Sequence, residues 1–286
     1  MGVIDAHVHV WDTQRFDYQW LAGLPALNAP MLPGDVDRAG GRVSGMVFVQ
    51  ADCAAESSLD EARWVSRAEW PELLGIVAAA NLHDEAGLPR HLDALAEIPG
   101  VVGIRHLLQG EPDAVFDSPA LRNGLGMLAA RGLSFDACVR HDQLPRLVTL
   151  LRGLPQLRVV LDHLGKPPID HGIDSDAGRA WAEAIGQLAA LDSVTVKLSG
   201  LSAETPDAAA LDRNAGAFIR HAVESFGAER AMIGSDWPVS ALLGSGGTLE
   251  AWLLRVHEAT GASAAERAAI EGTSAQSFYG LPATAG

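Results

Sequence analysis

The sequence has too few cysteines for a disulfide framework or a thiolate metal site. Cys53 and Cys138 are the only cysteines, they lie far apart, and neither belongs to a paired-cysteine motif, so we expect reduced thiols in a reducing compartment. The chain also has no apolar run long enough to cross a bilayer, and its first predicted strand begins too close to Met1 for a signal peptide. We therefore expect a cytoplasmic protein with no membrane partner.

Basic residues are scarce relative to acidic ones. The 21 lysines and arginines stand against 36 aspartates and glutamates, which gives a formal net charge of −15. Binding to a phosphate backbone requires clustered lysine and arginine, so nucleic acid is not expected as a partner. Assembly into a homo-oligomer is left open by the sequence.

A glycine-rich dinucleotide fingerprint is absent after the first predicted strand, which argues against an open doubly wound sheet. Instead, eight short segments rich in Val, Ile and Leu alternate with helical patterns. The predicted strands are VIDAHVHV, GMVFVQ, LLGIVAAA, VVGIRH, LSFDACV, LRVVLDH, VTVKLSG and AMIGSD. This alternation predicts an α/β fold, a (β/α)8 TIM-like barrel formed by residues 1–286 as a single domain, with a long insertion after strand 1 between Gln14 and Asp37.

Histidine is concentrated in the first predicted strand, IDAHVHVWD. Because side chains alternate along a strand, Asp5, His7 and His9 are expected to share the face that points into the barrel. The opposite, apolar face is predicted to consist of Ile4, Ala6, Val8 and Val10. Two histidines at this spacing on one face can bind a metal ion, and the carboxyl ends of barrel strands carry the active site. His7 and His9 are therefore candidate catalytic residues and metal ligands.

Two further strand ends carry candidate catalytic residues. Asp236 follows the eighth strand in GSDWP, where a neighbouring glycine leaves room beside a functional group; the alternative role is a helix N-cap. His163 ends the sixth strand in LDHLGKP and is expected to point inward together with Val159 and Leu161. Both residues are therefore candidate catalytic residues.

Other polar residues near the strand ends are candidate substrate-binding residues. In GIRH, alternation allows only one of Arg105 and His106 to point fully inward, and Arg105 is favoured. Lys197 lies mid-strand on the inward face of strand 7, where a buried lysine needs a partner, so an internal salt bridge and a substrate contact both remain open. The predicted substrate-binding set is Arg105, His106, Lys197, Gln50, His83 and Trp237.

The segments IDAHVHVWD, GIRH, VVLDHLGKP, VKLSGL and GSDWPV occur in this order across nearly the whole chain. Together they resemble the amidohydrolase superfamily, specifically its branch of L-fuconolactonase-like and related sugar-acid and dicarboxylate lactonases. The resemblance implies a distorted barrel in which His7 and His9 match the strand-one pair, His163 the strand-six histidine and Asp236 the strand-eight aspartate.

The resemblance also bears on metal content. Binuclear members bridge two ions with a modified lysine or a glutamate on the fourth strand, and VVGIRH supplies neither. The resemblance therefore implies at most one divalent, zinc-like ion, held by His7, His9 and Asp236. Similar lactonases include members that need no metal and use cationic side chains in its place.

The activity implied by the resemblance is hydrolysis of a small sugar-acid lactone, an L-fuconolactone-like aldonolactone. Asp236 would act as the general base for water, while one metal ion, or His7, His9, His163 and Arg105 as donors, would polarise the carbonyl. Two alternatives remain open, a metal-dependent decarboxylase of the same superfamily and a non-enzymatic sugar-binding barrel. Release of carbon dioxide would identify the first, and ligand binding that persists in Asp236→Asn without any turnover to lose would identify the second.

Overall fold

The computed structural model describes residues 2–243 and 247–283. Eight parallel strands form one sheet in sequence order. Strand β1 packs beside β8, and a parallel bridge joins Val8 to Trp237 in the loop after β8, which nearly closes a barrel. The strands are β1 Val3–Val8, β2 Val43–Val49, β3 Leu73–Ala79, β4 Val101–Leu107, β5 Ser134–Cys138, β6 Val159–Leu161, β7 Val194–Leu198 and β8 Ala231–Ile233. The predicted (β/α)8 TIM-like fold is confirmed, and each of the eight predicted strands is present.

Helices follow every strand from β2 to β8, whereas β1 is followed by the predicted insertion, which contains short 3-10 turns. The helices are α1 Ser58–Ser66, α2 Leu88–Ala96, α3 Pro119–Ala130, α4 Leu144–Arg152, α5 Asp176–Ala189, α6 Ala208–Phe226, α7 Val239–Leu243, α8 Leu249–Thr260, α9 Ala264–Ala268 and α10 Ser274–Tyr279. Proline begins or lies in the first turn of α2, α3 and α4, and the side chains of Ser175 and Asp207 cap α5 and α6. Within the described residues, none of these helices combines the length and apolar character that a bilayer span requires.

Apolar side chains form two main layers. An outer layer lies between the strands and the surrounding helices and includes Phe48, Ile104 and Trp181. An inner layer joins Val47, Val160 and Met232, from strands around the barrel, to Tyr279 and Leu281 of the C-terminal segment. The C-terminal segment therefore fills the end of the barrel opposite the carboxyl ends of the strands, and leaves those ends free for polar side chains.

The first strand does not alternate regularly. Its register against β2 shifts between Asp5 and Val8, which marks a β-bulge. Ile4 and Ala6 consequently lie in the inner layer, while Val8 and Val10 lie in the outer layer. The prediction of one continuous apolar face formed by these four residues is wrong, because the bulge reverses the alternation partway along the strand.

Candidate active site

The four side chains predicted to be catalytic converge at the carboxyl ends of the strands. Asp236 Oδ1 lies 3.7 Å from His7 Nε2, 3.4 Å from His9 Nε2 and 3.8 Å from His163 Nε2. The Nε2 atoms of His7 and His9 are 3.2 Å apart. All four side chains are buried, and they form one compact cluster of three imidazoles around a carboxylate.

Backbone hydrogen bonds between β1 and the loop after β8 fix Asp236 opposite the histidines. The Asp236 N–H donates to the His7 carbonyl, and the His9 N–H donates to the Trp237 carbonyl, both over 2.8 Å. Asp236 has a left-handed backbone with φ of 55°, which turns its carboxylate toward the imidazoles. The second carboxylate oxygen, Oδ2, accepts a hydrogen bond of 2.7 Å from the Ser240 hydroxyl.

Asp5 organises this loop instead of entering the cluster. Its Oδ1 accepts hydrogen bonds from the N–H groups of Ser235 (2.8 Å) and His7 (3.2 Å), so the prediction that it shares the inward face of the histidines is wrong. Gly234 provides the expected room, because a Cβ atom at this position would lie 2.7 Å from His7 Cβ. Both residues hold the loop close enough to β1 for Asp236 to reach the cluster.

His163 reaches the cluster by a different route from the predicted one. Strand β6 ends at Leu161, and Val159 and Leu161 pack in the outer layer, so strand alternation points Asp162 inward. His163 enters the site because its backbone is left-handed, with φ of 53°. Its Nδ1 atom lies 2.9 Å from the Ser199 hydroxyl, which orients the ring. The predicted location is correct, but the predicted alignment with Val159 and Leu161 is wrong.

A buried ionic network lies beneath His7. Lys197 Nζ is 2.5 Å from Asp136 Oδ2, 3.1 Å from Asp162 Oδ1 and 3.1 Å from His7 Nδ1, and the Tyr279 hydroxyl donates to Asp136 over 2.7 Å. Lys197 is fully buried. Of its two predicted roles, the internal salt bridge is the one that the structure contains, and Lys197 is not among the residues that line the pocket described below. Sequence reasoning missed Asp136, Asp162 and Tyr279, although an acid on the inward face of β5 was a usable signal.

Arg105 is the inward-pointing member of the GIRH pair. It is 5% exposed, with Nη1 3.7 Å from Asp162 Oδ2 and 3.5 Å from His7 Nε2. Its Nη2 donates to the Gln50 carbonyl. The guanidinium group therefore lies beside the imidazole cluster, where it is fixed by a carboxylate and a carbonyl.

The cluster opens into a pocket of about 200 Å³. The polar side chains that line it are His9, Asp52, Arg105, Gln109, Lys166, His163, Glu204 and Asp236, together with the indole of Trp20 and the thiol of Cys138. A neighbouring cleft of about 700 Å³ shares Asp52 and Arg105 with the pocket. The pocket is thus lined mainly by polar side chains.

The other predicted substrate-binding residues lie outside this pocket. Gln50 and His106 line the neighbouring cleft, and Gln50 Oε1 accepts the N–H of Asp52 over 2.6 Å. His83 and Trp237 line neither cavity, and Trp237 instead borders a separate cavity of about 20 Å³. The aromatic side chain that lines the pocket is instead Trp20, from the insertion after β1.

Ionisation suits the cluster for proton transfer and for metal binding. Burial favours the neutral form of Asp236, but the neighbouring imidazole of His163 and the hydrogen bond from His9 hold the pKa of Asp236 below its ordinary value. Burial lowers the pKa of His163 to about 4 and holds the pKa of His7 well below its ordinary value. At neutral pH the site therefore combines an ionised Asp236 carboxylate with neutral imidazoles at His7 and His163. Burial raises the pKa of Cys138 to about 11, so its thiol is protonated and is not a ready nucleophile.

The converging atoms fit one divalent ion. A tetrahedral zinc ion with ligands at about 2.0–2.1 Å sets its ligand atoms about 3.3–3.4 Å apart. The distances from Asp236 Oδ1 to the three Nε2 atoms, and between the Nε2 atoms of His7 and His9, are 3.2–3.8 Å. His9 Nδ1 donates to the Val49 carbonyl over 2.7 Å, which leaves the Nε2 lone pair directed at the cluster. The donor set and its spacing thus suit a zinc-like ion.

Comparisons with known proteins agree with this geometry. A protein-family model described as Amidohydrolase matches residues 4–281. The L-fucono-1,5-lactonase of Burkholderia ambifaria is 35% identical over 259 residues, covering 87% of this chain and 85% of that protein. The L-fucono-1,5-lactonase of Burkholderia multivorans is 32% identical over 301 aligned positions, covering 98% of this chain and 96% of that protein.

Solved structures of amidohydrolases are also similar to this chain. An amidohydrolase from Burkholderia multivorans with bound HEPES superposes with a TM-score of 0.87 at 30% identity, covering 99% of this chain and 100% of that one. A second crystal form of an amidohydrolase from the same organism, with bound zinc, superposes with a TM-score of 0.84 at 30% identity and the same coverage.

Proposed function

Because this chain belongs to the amidohydrolase family, we propose that it hydrolyses the ring ester of a small sugar-acid lactone of the L-fuconolactone type. The observation that carries the proposal is the ionised Asp236 carboxylate, buried among three imidazoles at the base of a small polar pocket. The pocket of about 200 Å³ lies below the range of about 300–1,000 Å³ typical of drug-sized ligands, which suits a single sugar ring. The two lactonase relatives support the choice of substrate.

Lactone hydrolysis needs a base for water, a stabiliser for the oxyanion and an acid for the leaving oxygen. Asp236 accepts a proton as the water oxygen bonds to the carbonyl carbon. The bond from that carbon to the ring oxygen then breaks, and Asp236 returns the proton to the departing alkoxide. Arg105, fixed at the edge of the pocket, donates hydrogen bonds to the oxygen that gains charge. The product is an open-chain hydroxy acid, which ionises and releases a proton.

His7, His9, His163 and Asp236 would hold at most one divalent, zinc-like ion. When bound, such an ion supplies Lewis-acid polarisation of the lactone carbonyl. The hydrogen bonds of His9 to Val49 and of His163 to Ser199 hold these rings with Nε2 toward the cluster. These hydrogen bonds orient the imidazoles before the ion binds.

The test is a pH-indicator assay of 1,4- and 1,5-aldonolactones with zinc-loaded and chelator-treated protein, against spontaneous hydrolysis in the same buffer. We expect acid release with at least one lactone, and its loss in Asp236→Asn. The absence of acceleration across the panel would refute the proposal. Carbon dioxide release from a carboxylated substrate would favour a decarboxylase, and lactone binding without turnover would favour a sugar-binding barrel.

A further inference from the structure

The backbone of Lys166 is left-handed, and this residue lines the pocket. Among the described residues, six other than glycine have left-handed backbone, and all but Ala39 lie on loops at the carboxyl ends of the strands. Four of them line the pocket, namely Asp52, His163, Lys166 and Asp236. Backbone of this kind persists where the surrounding structure imposes it, and it gathers at functional sites. The turn 163–166 thus directs both the His163 imidazole and the Lys166 side chain into one pocket.

The use of lysine in this chain is unusually restricted. Lys166 and Lys197 are the only lysines in the sequence, and arginine supplies every other side-chain cation apart from histidine. Lys197 belongs to the buried network beneath His7. Lys166 lines the pocket itself. Its compact ammonium has three donors and differs in function from a planar guanidinium.

Lys166 is paired with an acid on the same pocket wall. Its Nζ lies 2.5 Å from Glu204 Oε1, and the two side chains are 16% and 24% exposed. The ammonium keeps donors for a ligand, and the carboxylate offers an acceptor beside them. A donor and an acceptor held side by side match neighbouring hydroxyl groups, which donate and accept in turn.

The charges of the pocket oppose a ligand that carries a carboxylate. Of the two strong cations among its described lining residues, Arg105 faces Asp162 and Lys166 faces Glu204. Asp52 adds a further acid at the entrance. Away from the lactone carbonyl, whose oxygen Arg105 contacts in the proposed reaction, a carboxylate substituent would therefore meet acids and the already paired Lys166. Neutral hydroxyls would instead meet donors and acceptors.

We propose that Lys166 and Glu204 form a hydroxyl-recognition pair that selects neutral polyhydroxylated lactones over lactones bearing a carboxylate. Lys166 donates to one ring hydroxyl, and Glu204 accepts from its neighbour. Trp20 provides an apolar surface for the sugar C–H groups, since its Nε1–H is already engaged by the Ala51 carbonyl over 2.9 Å. The assignment rests on the proposed lactone hydrolysis and names which lactones the site accepts.

The kinetic test compares an aldonolactone with analogues that each lack one ring hydroxyl, in the wild type, Lys166→Met and Glu204→Gln. We expect wild-type kcat/KM to favour the fully hydroxylated lactone over one deoxy analogue by about 10- to 100-fold, the range for hydrogen bonds to charged groups. In the variants this ratio should collapse toward one, mainly through KM. Arg146→Met, which removes an exposed ion pair to Asp113 and Asp117, is the matched control and should retain the ratio.

Two outcomes would overturn the assignment. Equal losses on the hydroxylated and deoxy lactones would indicate a structural role, and unchanged ratios would exclude recognition by this pair. A lactone bearing a carboxylate should be a poor substrate for the wild type and improve in Glu204→Gln. Efficient wild-type turnover of that lactone would also contradict the proposal.

A binding measurement separates this inference from the proposed reaction. Protein labelled with ¹³C at lysine Cε should give two lysine signals, which Lys166→Arg assigns. Titration with a neutral pyranose of the same hydroxyl configuration should shift the Lys166 signal in a saturable manner and leave that of buried Lys197 in place. This result would support the recognition pair even if no lactone were hydrolysed, and an unmoved Lys166 signal would refute it.

Discussion

Two groups lie within reach of His7 Nδ1, the carboxylate of Asp162 and the ammonium of Lys197. His7 Nδ1 lies 3.3 Å from Asp162 Oδ1 and 3.1 Å from Lys197 Nζ. A proton on Nδ1, donated to Asp162, leaves the Nε2 lone pair directed at Asp236 and His9. A proton on Nε2 would instead block that lone pair. An ammonium has three donors, so Lys197 can contact Asp136, Asp162 and His7 Nδ1 together. A metal ion at Nε2 therefore requires the His7 proton to lie on Nδ1, where Asp162 is the acceptor within reach.

We predict that Asp162→Asn weakens zinc binding by about 10- to 100-fold, the usual effect of removing a carboxylate that orients a ligating histidine. The amide can donate to His7 Nδ1 and so stabilises the unsuitable tautomer. The dissociation constant is measured by competition with a chromophoric chelator. Asp192→Asn changes an exposed acid and serves as the control. Equal zinc affinity in both folded variants would remove Asp162 from this role.

Asp236→Asn should lower turnover by roughly 100- to 10,000-fold, the usual contribution of general acid and base catalysis. Since the pKa of Asp236 is held below the ordinary carboxylate value of about 4, wild-type kcat/KM should stay level from neutral pH down to about pH 4 and fall only below it. Stopped assays across this range would measure the profile. Preserved turnover with a stability loss of about 1 kcal/mol would identify a helix cap instead.

The residues that sequence reasoning missed share a physical cause. Strand alternation requires only one of Asp162 and His163 to point inward, but a left-handed turn after β6 brings both into the site. Lys166 and Glu204 lie in loops, whose conformation depends on tertiary contacts that a hydrophobic pattern does not encode. Sequence reasoning could identify His7, His9 and Asp236 because they occur in or next to strands with strong apolar periodicity.

Among whole elements, the strands were the most predictable. Each strand contains a short run of apolar residues that is visible in the sequence and is buried in the structure. All eight strands occur where the sequence predicts them. The bulge in β1 was not predictable from periodicity, because the shift depends on how the strand pairs with β2 and with the loop after β8. The local sequence pattern thus predicts the strands of the barrel, but it does not predict which residues of the first strand point inward.

The insertion after β1 is attached to helix α1 through a buried acid. The Tyr18 hydroxyl donates to Glu61 Oε1 over 3.0 Å, and Glu61 is 1% exposed. Burial raises the pKa of Glu61 to about 7, although hydrogen bonds from Tyr18 and from the Ala51 backbone favour the ionised form. Burial in the folded protein therefore favours the neutral, protonated form of Glu61.

This raised pKa predicts the direction of a pH effect on stability. Between about pH 4.5 and pH 7 the folded state binds more protons at Glu61 than the unfolded state, so the stabilisation from this group is present at low pH and lost as pH rises through about 7. Urea unfolding of wild type and Glu61→Gln should show the wild type losing up to about 3 kcal/mol relative to the variant over this range. Exposed Glu69→Gln is the control. A pH-independent difference would contradict the prediction.

The charge of the whole molecule suits a neutral substrate. A net charge of −15 gives a negative potential that attracts no anion, and an uncharged lactone approaches without a long-range penalty. Hydrolysis converts that lactone into an anion within a pocket whose cations are already paired with acids. The same field therefore favours departure of the product over its return.

Across the described residues, three groups of side chains have the spacing of metal ligands. One is His7, His163 and Asp236, and a second, which includes Cys138 and Asp162, also uses His163 and so adds no independent ion. The third is His83, His106 and Glu111. Here the Leu82 N–H donates to His106 Nδ1 over 3.1 Å, so the proton of the neutral ring lies on Nε2, and that nitrogen has no lone pair for a cation.

We therefore predict one divalent ion per chain at saturation, removable by chelators because the pocket leaves the cluster open to solvent on one side. Elemental analysis after zinc loading and gel filtration should give a stoichiometry near one for the wild type and for His106→Ala, and near zero for His7→Ala. His7→Ala and His9→Ala should also lose at least ~100-fold in turnover, the scale for a positioned electrostatic group. Two tightly held ions in the wild type would show that the tautomer of His106 does not exclude metal. An ion lost from His106→Ala and kept by His7→Ala would place the principal site in the neighbouring cleft.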